Sequence, residues 1–254
     1  LKDGSSFVDN RMVRVLSDII PLKKSAQILG EYPHNPTSFT QGLAFYNGKL
    51  YEGTGDPGDQ GKTIVAEVEL SSGAILNSNG LQAGFFGEGI TVMNDKIYQL
   101  TWKNQKCYVY DVNSLQLLSE FNYKGEGWGL THDGTSLIMS DGTERIVFRN
   151  PETFAIERTI EVYNNQGPIN YLNELEYIDG KIYANVWGEN KIIAINPSSG
   201  QVEKQFDFTN ILQKTNQPIT IETNVLNGIA YDSVTKAAYI TGKNWPAIFK
   251  VTLQ

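Results

Sequence analysis

The sequence has little of what many enzyme sites are built from. Its one cysteine, Cys107, excludes an internal disulfide and leaves the redox compartment open. Its two histidines, His34 and His132, are too few for a three-histidine zinc site. A nucleotide-binding P-loop and a G-x-S-x-G nucleophile elbow are both missing. Phosphate binding of the P-loop kind and serine hydrolase chemistry are therefore not indicated.

An excess of positive charge and long apolar runs are also missing. The net charge is −7 and the sequence pI is about 5.0, which argues against a nucleic-acid partner. No apolar run approaches the roughly 20 residues of a membrane span. The chain opens with the polar stretch LKDGSSFVDN, without Met, and we expect that a leader has been removed. N-x-S/T sequons are lacking, which mildly favours a bacterial source.

What is present is a repeat of short strands and turns. It is clearest in GITVMNDKIYQLTWKNQKCYVYDVNSLQLLSEF (89–121) and LEYIDGKIYANVWGENKIIAINPSSGQVEKQF (175–206), with looser copies elsewhere. The NG, ND and DG pairs in the first hairpins suit turns that need positive φ. The units start at positions 42, 89, 129, 174 and 228. This spacing, with about four strands per unit, predicts an all-β fold, a five-bladed β-propeller.

The two ends of the chain indicate how the propeller closes. The last unit stops after its third strand, whereas AQILGEYP (26–33) resembles the fourth strands of other units. We therefore predict that the N-terminal strand completes the last blade. Residues 1–25 form an N-terminal extension and 26–254 a single propeller domain, with RMVRVLSDII (11–20) open as an extra strand or a short helix. The long segment 206–224 is predicted to pass over one face of the propeller.

Propeller geometry brings specific positions together at one mouth of the central channel. The residues directly before each starting position form a ring there: Gln41, Glu88, Trp128, Asn173 and Asn227. The loops between second and third strands open on the same face and add Gly55, Trp102, Gly142, Trp187 and Lys243. Phe39 and Phe86 precede the ring by two residues. Two alternative interpretations remain. The ring residues could simply be polar strand starts that face a water-filled channel, and the tryptophans could pack between blades.

Together these positions predict a small pocket with aromatic walls and a few polar groups. Glu88 is the one ring residue that ionises, and desolvation among aromatic rings should raise its pKa into a range useful for proton transfer. Glu174 takes the place of the glycine that starts other units, so it is a reserve acid that could reach the channel. Glu126 is predicted to be a rim residue, and His132 a structural residue of a turn.

The loop GTGDPGDQGK (53–62) carries Asp56 and Asp59 among glycines and superficially suggests a calcium loop. Its spacing does not match an EF-hand. A solvated loop at the rim of the pocket is the favoured interpretation.

Several motifs in order resemble those of one enzyme family. SFTQGL, GEGITV, GEGWGL, LNELE, ANVW, LNGIAYD and TGKNWP are similar to the motifs of the plant and bacterial glutaminyl-peptide cyclotransferases, from about Tyr32 to the C-terminus. The resemblance implies a five-bladed propeller that cyclises N-terminal glutaminyl residues to pyroglutamate with release of ammonia. It assigns the acid/base role to Glu88 and the substrate pocket to Phe39, Gln41, Phe86, Trp102, Trp128, Asn173, Trp187 and Lys243.

The resemblance carries further expectations. It implies peptide or protein substrates with N-terminal Gln, an acyltransferase reaction, and a secreted or periplasmic location. We also expect a monomer that requires no cofactor. No metal ligands are assigned, although a structural metal ion in the channel is left open. Two alternatives also stay open: a metal-dependent hydrolase or lactonase using Glu88, Asn173 and Asn227 as oxygen ligands, and a non-catalytic binding scaffold.

Overall fold

Five sheets, antiparallel except for one added strand, are arranged around a central channel in the computed structural model, which describes residues 16–220 and 223–253. In three of them all the strands follow one another from the channel outwards in chain order. The innermost strands of successive blades lie side by side, and the first of them also contacts the last. The predicted all-β five-bladed propeller is confirmed.

The first three blades are complete units of four consecutive strands. Blade 1 consists of β3 (Thr40–Tyr46), β4 (Lys49–Thr54), β5 (Ile64–Glu69) and β6 (Ala74–Gly80). Blade 2 consists of β7 (Gly87–Met93), β8 (Lys96–Thr101), β9 (Lys106–Asp111) and β10 (Leu117–Asn122). Blade 3 consists of β11 (Leu130–His132), β12 (Leu137–Ser140), β13 (Arg145–Arg149) and β14 (Ile156–Glu161).

The last two blades take up strands from the N-terminal part of the chain. Blade 4 consists of β15 (Leu172–Ile178), β16 (Lys181–Val186), β17 (Lys191–Ile195) and β18 (Val202–Asp207), with β1 (Leu22–Lys24) added outside β18. Blade 5 consists of β19 (Leu226–Asp232), β20 (Ala237–Gly242), β21 (Ala247–Val251) and β2 (Ile28–Pro33). Because β2 pairs antiparallel with β21, the N-terminal strand completes the last blade as predicted.

The extra strand lies later in the chain than the sequence suggested. Residues 16–20 form neither strand nor helix, and residues 11–15 of RMVRVLSDII lie outside the described residues. The added strand is instead Leu22–Lys24, which pairs parallel with β18. Its three residues are exposed, so it carries no hydrophobic alternation that the sequence could reveal.

Tight turns and apolar layers stabilise the blades. The first hairpins of blades 1 and 4 turn at Asn47–Gly48 and Asp179–Gly180, whose φ angles of 49°, 78°, 47° and 80° match the left-handed conformation those pairs favour. Five clusters of buried side chains fill the spaces between neighbouring blades. Each blade thus contributes both faces of its sheet to the core, while the outermost strands stay largely exposed.

The long segment between β18 and β19 begins with a 3-10 turn at Leu212–Lys214. Thr215 Oγ1 then donates to Glu31 on β2, at 2.6 Å, so this segment contacts the outermost strand of blade 5. Residues 221–222 within it lie outside the description. Within the part of the chain that the structure describes, no helix is long and apolar enough to cross a membrane.

A buried ion pair ties the completing strand to blades 1 and 5. His34, directly after β2, donates from Nε2 to Glu52 Oε1 at 3.0 Å and from Nδ1 to the Trp245 carbonyl oxygen at 2.6 Å. Thr40 and Ser38 donate to the same carboxylate. Burial opposes both charges, but each partner outweighs it, so the pKa of His34 is raised and that of Glu52 is lowered.

We expect Glu52→Gln to lower the free energy of unfolding by about 3 kcal/mol, because it leaves His34 without its charged partner. The raised pKa of His34 adds stability below the ordinary value of 6.5 and loses it as pH rises through the folded value. The lowered pKa of Glu52 adds stability above 4.5 and loses it as pH falls through the folded value. Urea unfolding at about pH 5.5, between these two values, therefore gives the largest difference.

Glu67→Gln is the matched control, since Glu67 pairs with the half-exposed Lys49 in the same blade. This surface pair should contribute less than about 1 kcal/mol. Equal losses in the two variants would contradict the importance assigned to the His34–Glu52 pair.

Candidate active site

Irregular pairing at the start of the innermost strands aims the ring residues. Gln41, Glu88, Asn173 and Asn227 are each the second residue of their strand. In all four blades the register with the next strand shifts at this point. A bulge turns a side chain out of the regular alternation, which explains how these four reach the channel side. Trp128 lies two residues before β11.

The ring opens into a cavity of about 740 Å³. All nine residues predicted for the catalytic and substrate-binding positions line it: Phe39, Gln41, Phe86, Glu88, Trp102, Trp128, Asn173, Trp187 and Lys243. The structure therefore brings together residues from all five blades, including the aromatics that might instead have packed between blades.

The aromatic wall of the cavity, formed by Phe39, Phe86, Trp102, Trp128 and Trp187, has two parts. Phe86 meets Phe39 and Trp102 in edge-to-face contacts, with ring centroids 6.2 and 5.7 Å apart. Trp128 meets Trp187 in the same way at 6.3 Å. Such contacts hold large apolar rings in fixed relative orientations. Trp187 remains 46% exposed, which places it at the open side of the cavity.

Two glycines make room for this wall. A Cβ on Gly55 would lie 2.3 Å from the Phe86 ring, and one on Gly142 would lie 2.6 Å from the Trp128 ring. Gly142 also has a φ of 80°, which side chains other than glycine rarely adopt. The glycines at the second-strand loop positions of blades 1 and 3 thus allow close approach of the aromatic rings.

Glu88 is a buried carboxyl with an amide donor and a cation nearby. Gln41 Nε2 donates to Glu88 Oε1 at 3.1 Å. Burial raises the pKa of Glu88 well above its ordinary value; Lys243 opposes the shift and Glu126 adds to it. The proton affinity of this group is therefore higher than that of a surface carboxylate.

Lys243 lies in the same cavity and is itself buried. Its backbone pairs with Asn224 and Val225, which fixes the loop after β20. Its ammonium nitrogen lies 4.8 Å from the centroid of the Phe39 ring. Burial lowers the pKa of Lys243, and the charge of Glu88 opposes that shift. Each of the two groups thus favours the charged form of the other in a pocket that disfavours both charges.

A short chain of amides supports the carboxyl. Asn227 Nδ2 donates to Gln41 Oε1 at 3.2 Å and to the Thr40 carbonyl oxygen at 3.0 Å, and Gln41 in turn donates to Glu88. Asn227 does not line the cavity, so it acts on the pocket through Gln41. Asn173 does line it, and its buried Oδ1 has no hydrogen-bond partner among the described residues. That oxygen is available to a ligand.

Glu174 reaches the channel but does not line the cavity. Its two carboxyl oxygens accept hydrogen bonds from the backbone N–H groups of Leu43 and Ile229, at 3.2 and 2.9 Å, on the innermost strands of blades 1 and 5. Burial, and then the charge of Glu176, raise its pKa well above the ordinary value. Glu174 thus links the innermost strands of blades 1 and 5 below the pocket.

Glu176 lies further down the channel, in a separate cavity that also contains His132. Burial raises the pKa of Glu176 to about 8, although Tyr231 N–H and Thr131 Oγ1 donate to it. His132 Nδ1 accepts from Gly134 N–H within its turn. Within residues 16–220 and 223–253, no group of three or more His, Cys, Asp or Glu side chains is arranged to hold a metal ion.

Seven further residues line the cavity: Asp56, Pro57, Asp59, Gly84, Phe85, Lys103 and Asn104. The first three belong to the loop 53–62 that was predicted to lie at the rim, whereas the other four were not identified from the sequence. The Asp56 carboxylate accepts from the backbone N–H groups of Gly58, Gln60 and Lys62, so it organises the loop that was predicted to form the rim. The contacts of Asp59 with Gly84, and of Asn104 with Phe86, join loops of two blades and leave no signal in a single sequence.

The electrostatic coupling in the pocket is directly testable. We expect an NMR titration of the Glu88 side-chain carbon to give a pKa well above 4.5, and Lys243→Met to raise it further, because the variant removes the cation that favours ionised Glu88. Lys103→Met is the control, since Lys103 is 62% exposed and lies over Trp102. An ordinary pKa for Glu88, or an equal effect of the two lysine variants, would contradict this description.

Comparisons with known proteins match both the sequence and the fold. The family model described as glutamine cyclotransferase matches residues 12–253. The glutaminyl-peptide cyclotransferase of Arabidopsis thaliana is 33% identical over 230 residues, covering 90% of this chain and 71% of the plant protein. The crystal structure of Myxococcus xanthus glutaminyl cyclase superposes with a TM-score of 0.83 at 32% identity, covering 91% of this chain and 97% of that one. The chain belongs to the glutamine cyclotransferase family.

Proposed function

We propose that this protein converts the N-terminal glutaminyl residue of peptides or proteins to pyroglutamate and releases ammonia, with Glu88 as the acid/base. The observation that carries the proposal is the placement of Glu88: a buried carboxyl of raised pKa, beside a lysine, in an aromatic-walled cavity. Membership of the glutamine cyclotransferase family supports the same reaction.

The reaction is an intramolecular acyl transfer, so positioning is the first task. The α-amine of the substrate attacks the carbon of its own side-chain carboxamide, and both groups belong to one residue. The pocket must hold that residue folded, with the two reacting atoms in contact. The aromatic wall encloses the five-membered ring as it forms and keeps water away. The π faces can also hold the ammonium form of the substrate before it loses a proton.

Proton transfer by Glu88 completes the reaction. Ionised Glu88 takes a proton from the attacking nitrogen as the new C–N bond forms. The protonated carboxyl then gives that proton to the carboxamide nitrogen, the old C–N bond breaks, and ammonia leaves. A raised pKa makes the carboxyl effective in both directions near neutral pH, as long as the ionised form stays populated.

The remaining polar groups divide the work. Because Gln41 already donates to Glu88, it orients the carboxylate. Lys243 is the donor and cation best suited to the negative charge that develops on the carboxamide oxygen. The free Oδ1 of Asn173 is suited to accept from an N–H of the substrate. These roles follow from which hydrogen-bonding groups are already used within the protein.

Of the alternatives, a metal-dependent hydrolase has the weaker support. Such a site needs several converging oxygen ligands. Of the three candidate ligands Glu88, Asn173 and Asn227, Asn227 does not line the cavity, and Glu88 accepts a hydrogen bond from Gln41. A binding scaffold would not need a buried, desolvated carboxyl, which is costly to maintain. We retain the secreted or periplasmic location, which rests on the family resemblance, and the monomeric state as proposals.

The test is ammonia release from Gln-initiated peptides by wild type and Glu88→Gln. We expect the variant to fold and to lose roughly 10²–10⁴-fold in kcat, the range for removal of a general acid/base. Glu120→Gln, on the outer strand of blade 2, should retain the wild-type rate. N-acetylated peptides should give no product, because the nucleophile is blocked.

Wild-type rates in a folded Glu88→Gln variant would remove Glu88 from the mechanism. Absence of ammonia from every Gln-initiated peptide would favour the scaffold. Loss of ammonia release on treatment with a chelator would favour metal-dependent catalysis.

A further inference from the structure

One carboxylate oxygen connects two tryptophans of the pocket. Glu126 Oε2 accepts a hydrogen bond from Trp102 Nε1 at 2.7 Å and from Trp128 Nε1 at 3.0 Å. From its place in the sequence, Glu126 is predicted to be only a rim residue. The structure shows a partly exposed side chain that does not line the cavity itself but contacts two residues that do.

The contact joins the two parts of the aromatic wall. Trp102 belongs to the part contributed by blades 1 and 2, through its contact with Phe86. Trp128 belongs to the part formed with Trp187, from blades 3 and 4. Backbone pairing supports the junction, since Gly127 N–H donates to the Trp102 carbonyl oxygen at 3.0 Å.

The face of the Trp102 ring is contacted by a cation. Lys103 Nζ lies 3.9 Å from the ring centroid and 4.0 Å from Glu126 Oε1. The indole therefore has a cation over its face and a carboxylate at its N–H. A charge-assisted hydrogen bond is stronger and shorter than a neutral one. The position of the carboxylate should therefore determine the orientation of both indole rings.

We propose that Glu126 is a positioning residue, which fixes the indole rings of Trp102 and Trp128 in the orientation that encloses the substrate. Its role in turnover rests on the proposed function. Glu126 acts through the two tryptophans and touches no reacting atom. A single side chain thereby sets the width of the pocket between blades 2 and 3.

Glu126 also acts on Glu88 through its charge. The negative charge of Glu126 contributes to the raised pKa of Glu88, after burial and against Lys243. Further titratable groups near this region are Lys103, beside Trp102, Asp56 and Asp59 on the rim loop, and Tyr123, whose hydroxyl donates to the Thr101 carbonyl oxygen. Geometry and charge can be separated, because glutamine keeps a carbonyl oxygen as acceptor and loses the charge.

The experiment compares Glu126→Ala and Glu126→Gln with wild type, and uses Glu120→Gln as the control. The two glutamates have similar side-chain exposure, 40% and 42%, and Glu120 pairs with Lys106 outside the pocket. The first readout is the indole N–H NMR resonances of the four tryptophans, assigned with single Trp→Phe variants. The second is the pH profile of ammonia release with kcat and KM.

We expect Glu126→Ala to shift the indole resonances of Trp102 and Trp128 and to leave that of Trp245, which donates to the Asn224 carbonyl oxygen, in place. The loss of charge-assisted hydrogen bonds should lower kcat/KM roughly tenfold, chiefly through KM. Glu126→Gln should recover most of kcat/KM. Its acidic limb should move to lower pH, because the charge that raises the pKa of Glu88 is gone.

Unchanged indole resonances in Glu126→Ala would overturn the proposal, whether or not the protein releases ammonia. Shifted resonances with kcat/KM within twofold of wild type would overturn the role in substrate enclosure. If wild type releases no ammonia from any Gln-peptide, the proposed function fails, and the resonances still decide whether Glu126 fixes the two rings.

Discussion

A carboxylate removed from water is costly unless hydrogen bonds and an opposite charge replace its hydration. For Glu88 the lost hydration is replaced only in part. One amide donates to it and one buried lysine lies nearby, but aromatic rings form most of the surroundings. Because the loss of hydration outweighs these interactions, the affinity of Glu88 for a proton rises. The neighbouring side chains each have a defined role. Gln41 orients the carboxyl, Asn227 orients Gln41, and Lys243 limits the rise in pKa.

The five blades repeat the same backbone unit, but the side chains at equivalent positions around the pocket differ in chemistry. The second residue of the innermost strand is an amide in three blades and an acid in one. In blade 3 the equivalent residue is an indole that lies just before the strand. Four of the five innermost strands share the irregular pairing that aims the side chain. The backbone thus supplies a common geometry, and the variation among blades supplies the pocket. Below the site, Glu174 satisfies backbone groups of two innermost strands that would otherwise face the channel.

Much of this could be predicted from the sequence, because it depends on local patterns. The spacing of the units gave the blade number, and the turn pairs marked the first hairpins. The positions before each starting residue then identified the ring, since a closed propeller brings equivalent positions together. The missing fourth strand of the last unit pointed to the segment 26–33 as its replacement, and the strand found there is Ile28–Pro33. The motifs that resemble one family named the reaction.

What could not be predicted depends on contacts between blades. Gly55 in blade 1 makes room for the Phe86 ring of blade 2. The pairing of His34 with Glu52 needs the completed fifth blade, and the strand at Leu22–Lys24 has no hydrophobic pattern. Glu126 had a weak signal, because it stands two residues before Trp128, but its contact with Trp102 depends on the packing of blade 2 against blade 3.

The central claim is that the buried Glu88 carboxyl moves the protons of the reaction. The most direct test measures the pH dependence of kcat/KM for ammonia release and the NMR titration of Glu88 in the same protein, with the α-amine pKa of the free peptide determined separately. If Glu88 moves these protons, the acidic limb coincides with the raised pKa of Glu88. An acidic limb at the value of an ordinary carboxyl, or one that follows only the peptide amine, would contradict it.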